Sequence, residues 1–168
     1  HQVARSYVDY REVLEQPDID AVTVAVPTYL HLAMAQEALK ARKHVYLEWP
    51  MGLSAKEAAK LLEVARAMKR ILMVAHPWRF QRQTQMAKAI IERGDAGEIY
   101  HARGFWMKRS GIPRIGSWHT QRKLAGGGCL SDLGAPLLDT ALHLMRENDV
   151  VAVSAHVQAK FGTRNLGE

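Results

Sequence analysis

A chain of 168 residues can bury the core of one domain and part of another. Its 48% hydrophobic and 24% charged residues are typical of a globular protein. No apolar run approaches the roughly 20 residues that span a bilayer, so we expect no membrane partner. Cys129 is the only cysteine, which excludes an internal disulfide and a cysteine-rich zinc site, and we expect no metal. Because no secretory segment is visible, we expect a cytoplasmic protein.

The net charge of +6 raises the question of nucleic acid. The stretch from Ile99 to Ser131 contains lysines and arginines but no acidic residue. Such a stretch suits a phosphate, a carboxylate or the acidic residues of a partner subunit as well as a nucleic-acid backbone. Because the sequence has no helix-turn-helix, zinc-finger or RNA-binding signature, we expect no nucleic-acid partner.

Apolar strands and amphipathic helices alternate through the first half of the chain. In chain order, the patterns predict a helix over 7–16, a strand over 21–26, a helix over 30–41, a strand over 44–47, a helix ending near residue 70, a strand over 71–75 and a helix over 81–93. Thr28 is the expected cap of the second helix, and Ser54 to Glu57 is a capping box for the third. Short connections between such elements predict an α/β fold with a doubly wound parallel sheet.

The pattern changes after Gly97. Residues 98–108 and 150–161 are predicted strands, separated by a loop, a glycine-rich turn and a helix. We therefore expect an α+β part after the α/β part. The expected domains are residues 1–96 and 97–168.

Three glycines at 126–128 lead directly into an apolar helical pattern. On an α-helix, Asp132, Pro136, Asp139 and His143 fall at i, i+4, i+7 and i+11 and share one face. This polar strip indicates either a ligand site or a helix entry with capping carboxylates. Because a proline inside a helix removes a backbone donor, the helix must begin just before Pro136 or kink there.

Polar and aromatic residues follow each predicted parallel strand. They are Pro27-Thr28, Glu48-Trp49-Pro50 and His76-Pro77-Trp78-Arg79. Ligands of open α/β sheets bind at the carboxyl ends of the strands, so this edge is the expected site. The G-x-G-x-x-G turn of a dinucleotide-binding unit does not occur in the sequence, and we expect the chain to begin after that unit.

Several short motifs come in the order of a known family. They are Asp18-Ile19-Asp20-Ala21-Val22, Pro27-Thr28 with His31, His44 to Pro50, Arg79-Phe80, Gly97-Glu98-Ile99 and Gly126 to Asp139. Together they resemble the Gfo/Idh/MocA family of NAD(P)-dependent oxidoreductases over nearly the whole chain. The resemblance implies part of a Rossmann-like parallel sheet followed by part of an α+β domain with a mostly antiparallel sheet. It also implies a homo-oligomer that transfers hydride between NAD or NADP and a sugar- or cyclitol-like alcohol or ketone.

The resemblance further implies a set of site residues. The implied cofactor contacts are Pro27, Thr28, His31, Glu48, Trp49 and Pro50. The implied substrate contacts are Arg79, Trp118, His119, Asp132 and Pro136. Asp132 is the expected catalytic residue, with His76 and His119 as alternative bases. Arg79 is also expected to anchor an ion pair that joins the two domains.

Two departures from the family pattern bear on activity. Trp49 stands where the family has a lysine, and Pro136 stands where it has an acid/base histidine. Neither side chain can take up a proton. A catalytically silent family member that binds a ligand or regulates, and an inactive partial gene product, therefore remain as alternatives to an oxidoreductase.

Overall fold

The computed structural model describes residues 3–111, 113–146 and 149–158. The chain divides into two compact units. The first unit comprises His1–Ala75 with Lys123–Gly126, and the second comprises His76–Arg122 with Gly127–Glu168. The expected division of the complete protein between residues 96 and 97 stays a prediction.

A three-stranded parallel sheet lies at the centre of the first unit. Its strands, in spatial order, are β1 (Ala21–Val24), β2 (His44–Leu47) and β3 (Leu72–Val74). Val45 of β2 pairs with Val22 on one side and Leu72 on the other, so the carboxyl ends of all three strands meet at one edge. The predicted α/β fold with a parallel sheet is thereby confirmed.

Two helices cross over between these strands, and a short one precedes them. They are α1 (Tyr10–Leu14), α2 (Thr28–Lys40) and α3 (Ala55–Ala67). The first is shorter than predicted because Asp9 caps it, in a capping box with Glu12. The expectation that Thr28 caps α2 was wrong. Pro27 is the cap residue, and with φ fixed at −56° it lets the chain enter the helix earlier, so Thr28 is the first helical residue.

The capping box of α3 forms in a modified way. The Ser54 hydroxyl accepts a hydrogen bond from the Glu57 amide at 3.3 Å, as predicted. The Glu57 carboxylate, however, accepts from the Leu53 amide at 2.7 Å, one residue before the cap. The carboxylate therefore fastens the chain between β2 and the helix that follows it.

The core of the first unit lies between one face of the sheet and helices α2 and α3. Leu39, Val45, Leu47 and Leu61 are fully buried there. Residues alternate along β2, so that Tyr46 points to the opposite, exposed face. Helix packing on one face of a parallel sheet leaves the loops at its carboxyl edge free to form a site.

The second unit is built from short helices and irregular segments. Its helical elements are a 3₁₀ turn (Pro77–Phe80), α4 (Arg82–Glu92), a second 3₁₀ turn (Trp118–Thr120), a π-helical turn (Leu130–Gly134) and α6 (Ala135–Met145). Helix α5 (Arg122–Ala125) lies mostly in the first unit. Helix α6 packs against α4 and the first 3₁₀ turn. Pro136 lies in the first turn of α6, so the helix begins just before it, as one of the two expectations had it.

The predicted strands over 98–108 and 150–161 are not formed in the described residues, and the expected antiparallel sheet is absent from them. Residues 159–161 lie outside the described part of the chain. Alternating side chains favour a strand, but a strand exists only where a second backbone pairs with it. The apolar side chains of Phe105, Met107 and Val153 are correspondingly exposed.

Candidate functional site

The carboxyl edge of the sheet in the first unit gathers the residues predicted to hold a cofactor. Two backbone hydrogen bonds continue the ladders past the strand ends, from the Glu48 amide to the Val24 carbonyl at 3.1 Å and from the Ala75 amide to the Leu47 carbonyl at 2.7 Å. The loop after β1 and the loop after β2 therefore leave the sheet side by side. We call Ala25–Pro27 the first loop and Glu48–Leu53 the second loop.

The second loop is half-buried along Glu48, Trp49 and Pro50, and the Trp49–Pro50 peptide bond is cis. Thr28 is buried at the start of α2. Gly126 lies against the same loop. Its φ is +77°, and a Cβ placed on it would lie 3.0 Å from both the Cα and the carbonyl oxygen of Leu53. Only glycine fits this close approach without displacing the second loop.

His31 lies beneath these two loops with an exposed fraction of 1%. Its Nδ1 is 2.8 Å from the Pro50 carbonyl oxygen, and its Nε2 is 2.8 Å from the Val26 carbonyl oxygen. The ring therefore uses both nitrogens on the protein backbone. The sequence resemblance placed His31 among the cofactor contacts, and the structure shows what its ring contacts within the chain.

Asp132 lies in the π-helical turn of the second unit and is exposed. Its amide donates to the Gly128 carbonyl at 3.2 Å. Among the described residues, no hydrogen bond or ion pair of its carboxylate is found. Asp132 thus lies in a π-helical turn directly before α6, where the 3.6-residue period on which the expected shared face was based does not hold.

Asp139, on α6, is held by residues of its own unit. Arg79 donates to it through Nε at 2.8 Å and through Nη2 at 2.5 Å, in a two-pronged ion pair, and His76 Nδ1 lies 3.5 Å from the same carboxylate. This pair raises the pKa of the Arg79 guanidinium, chiefly through the hydrogen bond. The predicted ion pair of Arg79 thus exists, and both partners lie in the second unit.

His143 is one turn farther along α6 and faces Lys88 of α4. The Lys88 Nζ lies 3.1 Å from the His143 Nε2. Burial lowers the pKa of His143, and the positive charges of Lys88 and Arg79 lower it further. Because the Lys88 ammonium group only donates, the His143 ring nitrogen that faces it accepts the hydrogen bond. These contacts account for Asp139 and His143, whereas the Asp132 carboxylate has no partner among the described residues.

The remaining predicted substrate residues lie in the second unit. Trp118 and His119 stack at 3.7 Å in the second 3₁₀ turn, with Trp118 half-buried and His119 exposed. Pro136 is buried. Two contacts were not predicted from the sequence, that of Trp78 with Trp106, whose ring centroids are 4.7 Å apart, and that of Lys88 with His143. The only sequence signal for the Trp78–Trp106 contact was the aromatic Trp106 in the predicted strand over 98–108.

Asp139→Asn is expected to lower the free energy of unfolding of the full-length protein by about 1–2 kcal/mol. The amide keeps the shape of the carboxylate but loses the charged hydrogen bonds to Arg79. The effect stays moderate because the Arg79 side chain is 41% exposed and can turn to water. Urea unfolding measures it. Unchanged stability would show that the ion pair contributes nothing.

Neither a membrane-spanning helix nor a cluster of metal ligands is found in the described ranges. None of the helices there is long and apolar enough to cross a membrane. No group of three or more metal-ligating side chains occurs in the same residues.

Two family models match the chain. The model described as an oxidoreductase family with an NAD-binding Rossmann fold matches residues 1–76, and the model described as a GFO/IDH/MocA C-terminal domain matches residues 84–166. The chain belongs to the Gfo/Idh/MocA oxidoreductase family. The resemblance inferred from the motifs is thereby confirmed.

Relatives within the Gfo/Idh/MocA family include sugar dehydrogenases. Levoglucosan dehydrogenase of Pseudarthrobacter phenanthrenivorans is 32% identical over 145 residues, which are 85% of this chain and 37% of that protein. D-glucoside 3-dehydrogenase of Escherichia coli is also 32% identical, over 86% of this chain and 41% of that protein. A solved structure of levoglucosan dehydrogenase with NADH and levoglucosan matches with a TM-score of 0.69 at 29% identity, covering 82% of this chain and 38% of that one. The chain thus spans about two fifths of the length of these relatives.

The carboxyl edge fits the dinucleotide that the Gfo/Idh/MocA family binds. Helix α2 begins there, directly after the first loop, and its cap residue Pro27 makes no side-chain hydrogen bond to the first turn. No side chain therefore caps the first turn of α2, and the positive end of the helix favours oxygen-rich groups. The donor chemistry at this edge suits NAD or NADP.

Proposed function

We propose that the protein containing this chain transfers hydride between NAD(P) and a hydroxyl or carbonyl group of a sugar- or cyclitol-like substrate. The observation that carries the proposal is the match of two models of one family, in order, to a chain whose parallel sheet gathers the expected cofactor residues at its carboxyl edge. The names of the relatives, which are sugar dehydrogenases, support the substrate class.

We assign the cofactor contacts to the two loops and the start of α2. Pro27 and Thr28 present backbone groups at the end of β1, while Glu48 accepts hydrogen bonds from the nicotinamide ribose. Trp49 offers an indole face and one N–H donor, and it shields the reacting carbon of the substrate from water. Pro50 lies within the second loop, and its carbonyl faces the His31 ring.

Asp132 takes the proton in this proposal. Oxidation of an alcohol removes a hydride from carbon and a proton from the hydroxyl oxygen. Bound NAD(P) would supply the hydride acceptor, and the Asp132 carboxylate accepts the proton. Its exposed position, with no recorded partner in the described chain, leaves it free for this role. Trp118 and His119 provide stacked rings for a sugar face, and Arg79 and Pro136 complete the proposed substrate contacts.

The test is an assay of the full-length protein with NAD⁺ and with NADP⁺ over a panel of pyranoses and cyclitols. Formation of the reduced nicotinamide should appear with at least one sugar. With a sugar deuterated at the reacting carbon, the deuterium should be recovered in the reduced cofactor. Failure to bind either dinucleotide would contradict the proposal.

A second candidate is a silent member that binds cofactor and ligand without turnover. Trp49 and Pro136 favour it, because neither can exchange a proton where the family pattern has groups that can. Saturable binding of a dinucleotide without turnover of any substrate would decide for this candidate.

We keep three further expectations as part of the proposal. The complete protein is a homo-oligomer, which light scattering tests. It is cytoplasmic, in keeping with its single, exposed Cys129, and cell fractionation tests that. Its domains divide between residues 96 and 97, and limited proteolysis near that point tests the boundary.

A further inference from the structure

We propose that His31 is a positioning residue for NAD(P): its ring clasps the first loop to the second loop and so sets the spacing of the cofactor contacts. The proposal rests on the proposed function, because it concerns the same edge of the sheet. Two observations carry it, namely the pair of hydrogen bonds made by the ring and the place at which those bonds occur.

The two bonds join the ends of neighbouring strands. The Val26 carbonyl belongs to the first loop and the Pro50 carbonyl to the second, and each lies 2.8 Å from one nitrogen of His31. The last backbone bond between the two segments runs from Glu48 to Val24. Beyond that point the loops have no ladder between them, and the His31 ring provides the link.

The chemistry of the ring makes this link hard to replace. Both partners are carbonyl oxygens, which only accept, and each of them faces one of the two ring nitrogens. Glutamine has a single donor nitrogen and reaches one carbonyl. Phenylalanine fills the space and reaches neither. The two substitutions therefore open the clasp by different degrees.

The loops that the clasp joins hold most of the proposed cofactor contacts. Val26 is followed by Pro27 and Thr28, and Pro50 is preceded by Glu48 and Trp49. If the two loops separate, these contacts no longer match one bound dinucleotide. Binding of the cofactor should then weaken more than the chemical step, because Asp132 lies outside the clasp.

Lys43 provides a matched control within the same sheet. It is 7% exposed, and its Nζ donates to the Gln16 carbonyl at 2.6 Å. Lys43 precedes β2 and Gln16 precedes β1, so this bond ties two segments at the amino edge. Lys43→Met removes a buried side-chain bond to a loop carbonyl, as His31→Phe does, at the edge away from the proposed cofactor site.

The experiment compares wild type, His31→Phe, His31→Gln and Lys43→Met in the full-length protein. Calorimetry gives the dissociation constant for NAD⁺ or NADP⁺, steady-state kinetics give KM and kcat, and thermal unfolding gives Tm. We expect His31→Phe to raise the dissociation constant and the cofactor KM about tenfold, because both contacts between the ring and the loops are lost, with a smaller change in kcat. His31→Gln should show an intermediate rise. Lys43→Met should lower Tm similarly yet leave the dissociation constant within about twofold.

Two results would overturn the clasp. In one, the His31 variants lose Tm but bind the dinucleotide as wild type does. In the other, Lys43→Met weakens binding as much as His31→Phe, which would mean that general loss of stability explains the effect. Absence of dinucleotide binding by the wild type is a separate outcome, because it overturns the proposed function and the clasp with it.

Discussion

Asp132→Asn in the full-length protein is expected to lower kcat for sugar oxidation by about 10²–10⁴-fold, the usual contribution of a general base. The amide keeps the size and shape of the carboxylate but cannot take up the hydroxyl proton. Because Asp132 is proposed to contact the substrate and not the cofactor, the dissociation constant for NAD⁺ should stay nearly unchanged. Steady-state kinetics at saturating cofactor, together with calorimetry, measure both quantities.

Asp95→Asn is the matched control for this prediction. Asp95 is an exposed aspartate of the same unit, and its carboxylate pairs with Arg93 at 2.8 Å on the surface. Its substitution removes the same charge without touching the proposed site, and kcat should not change. If Asp132→Asn keeps full turnover, another group takes the proton, and His76 and His119 become the first residues to test.

Leu61→Ala is expected to lower the free energy of unfolding by about 2–5 kcal/mol, the range for truncating a buried leucine. Leu61 has an exposed fraction of 0% and lies on α3 in the core of the first unit. Removing its side chain leaves a cavity that the surrounding residues fill only in part. Urea unfolding of the full-length protein measures the loss.

The neighbouring Leu62 serves as the control on the same helix. It is 40% exposed, and Leu62→Ala should change stability by about 0.5 kcal/mol, as expected at a surface position. Helix propensity is the same for both substitutions, so the difference isolates burial. Equal losses at the two positions would contradict the packing of α3 on the sheet.

Local patterns predicted the first unit well. Strand β2 begins and ends at the predicted residues, because its apolar side chains alternate with a residue of the exposed face. The Ser54 cap was visible in the sequence because the serine and Glu57 have the spacing of a capping box. The start of α2 was missed, because proline can itself occupy the cap position.

Contacts between distant residues were beyond the reach of the sequence pattern. Arg79 and Asp139 are 60 residues apart, and Lys88 and His143 are 55 apart. These pairings explain the polar residues Asp139 and His143 on α6. From the spacing alone, both residues fitted either a ligand site or a capping function. The π-helical turn that contains Asp132 leaves no mark in a pattern read at 3.6 residues per turn.

In the predicted site, too, local patterns located some residues but not the contacts that those residues make. Strand ends can be inferred from local patterns, so the expected grouping of Glu48, Trp49 and Pro50 at one edge with Pro27 and Thr28 followed from the topology. The contacts of His31 did not follow, because they depend on which backbone carbonyls the fold brings to its ring. The roles of all these residues toward cofactor and substrate remain proposals for experiment.

Amide hydrogen exchange of the full-length protein, with and without saturating NAD⁺, tests the location of the cofactor most directly. The account predicts slower exchange in peptides that cover residues 25–31 and 48–53, since a dinucleotide held by the two loops would shield their amides. Tight binding of NAD⁺ with unchanged exchange in both peptides would contradict it.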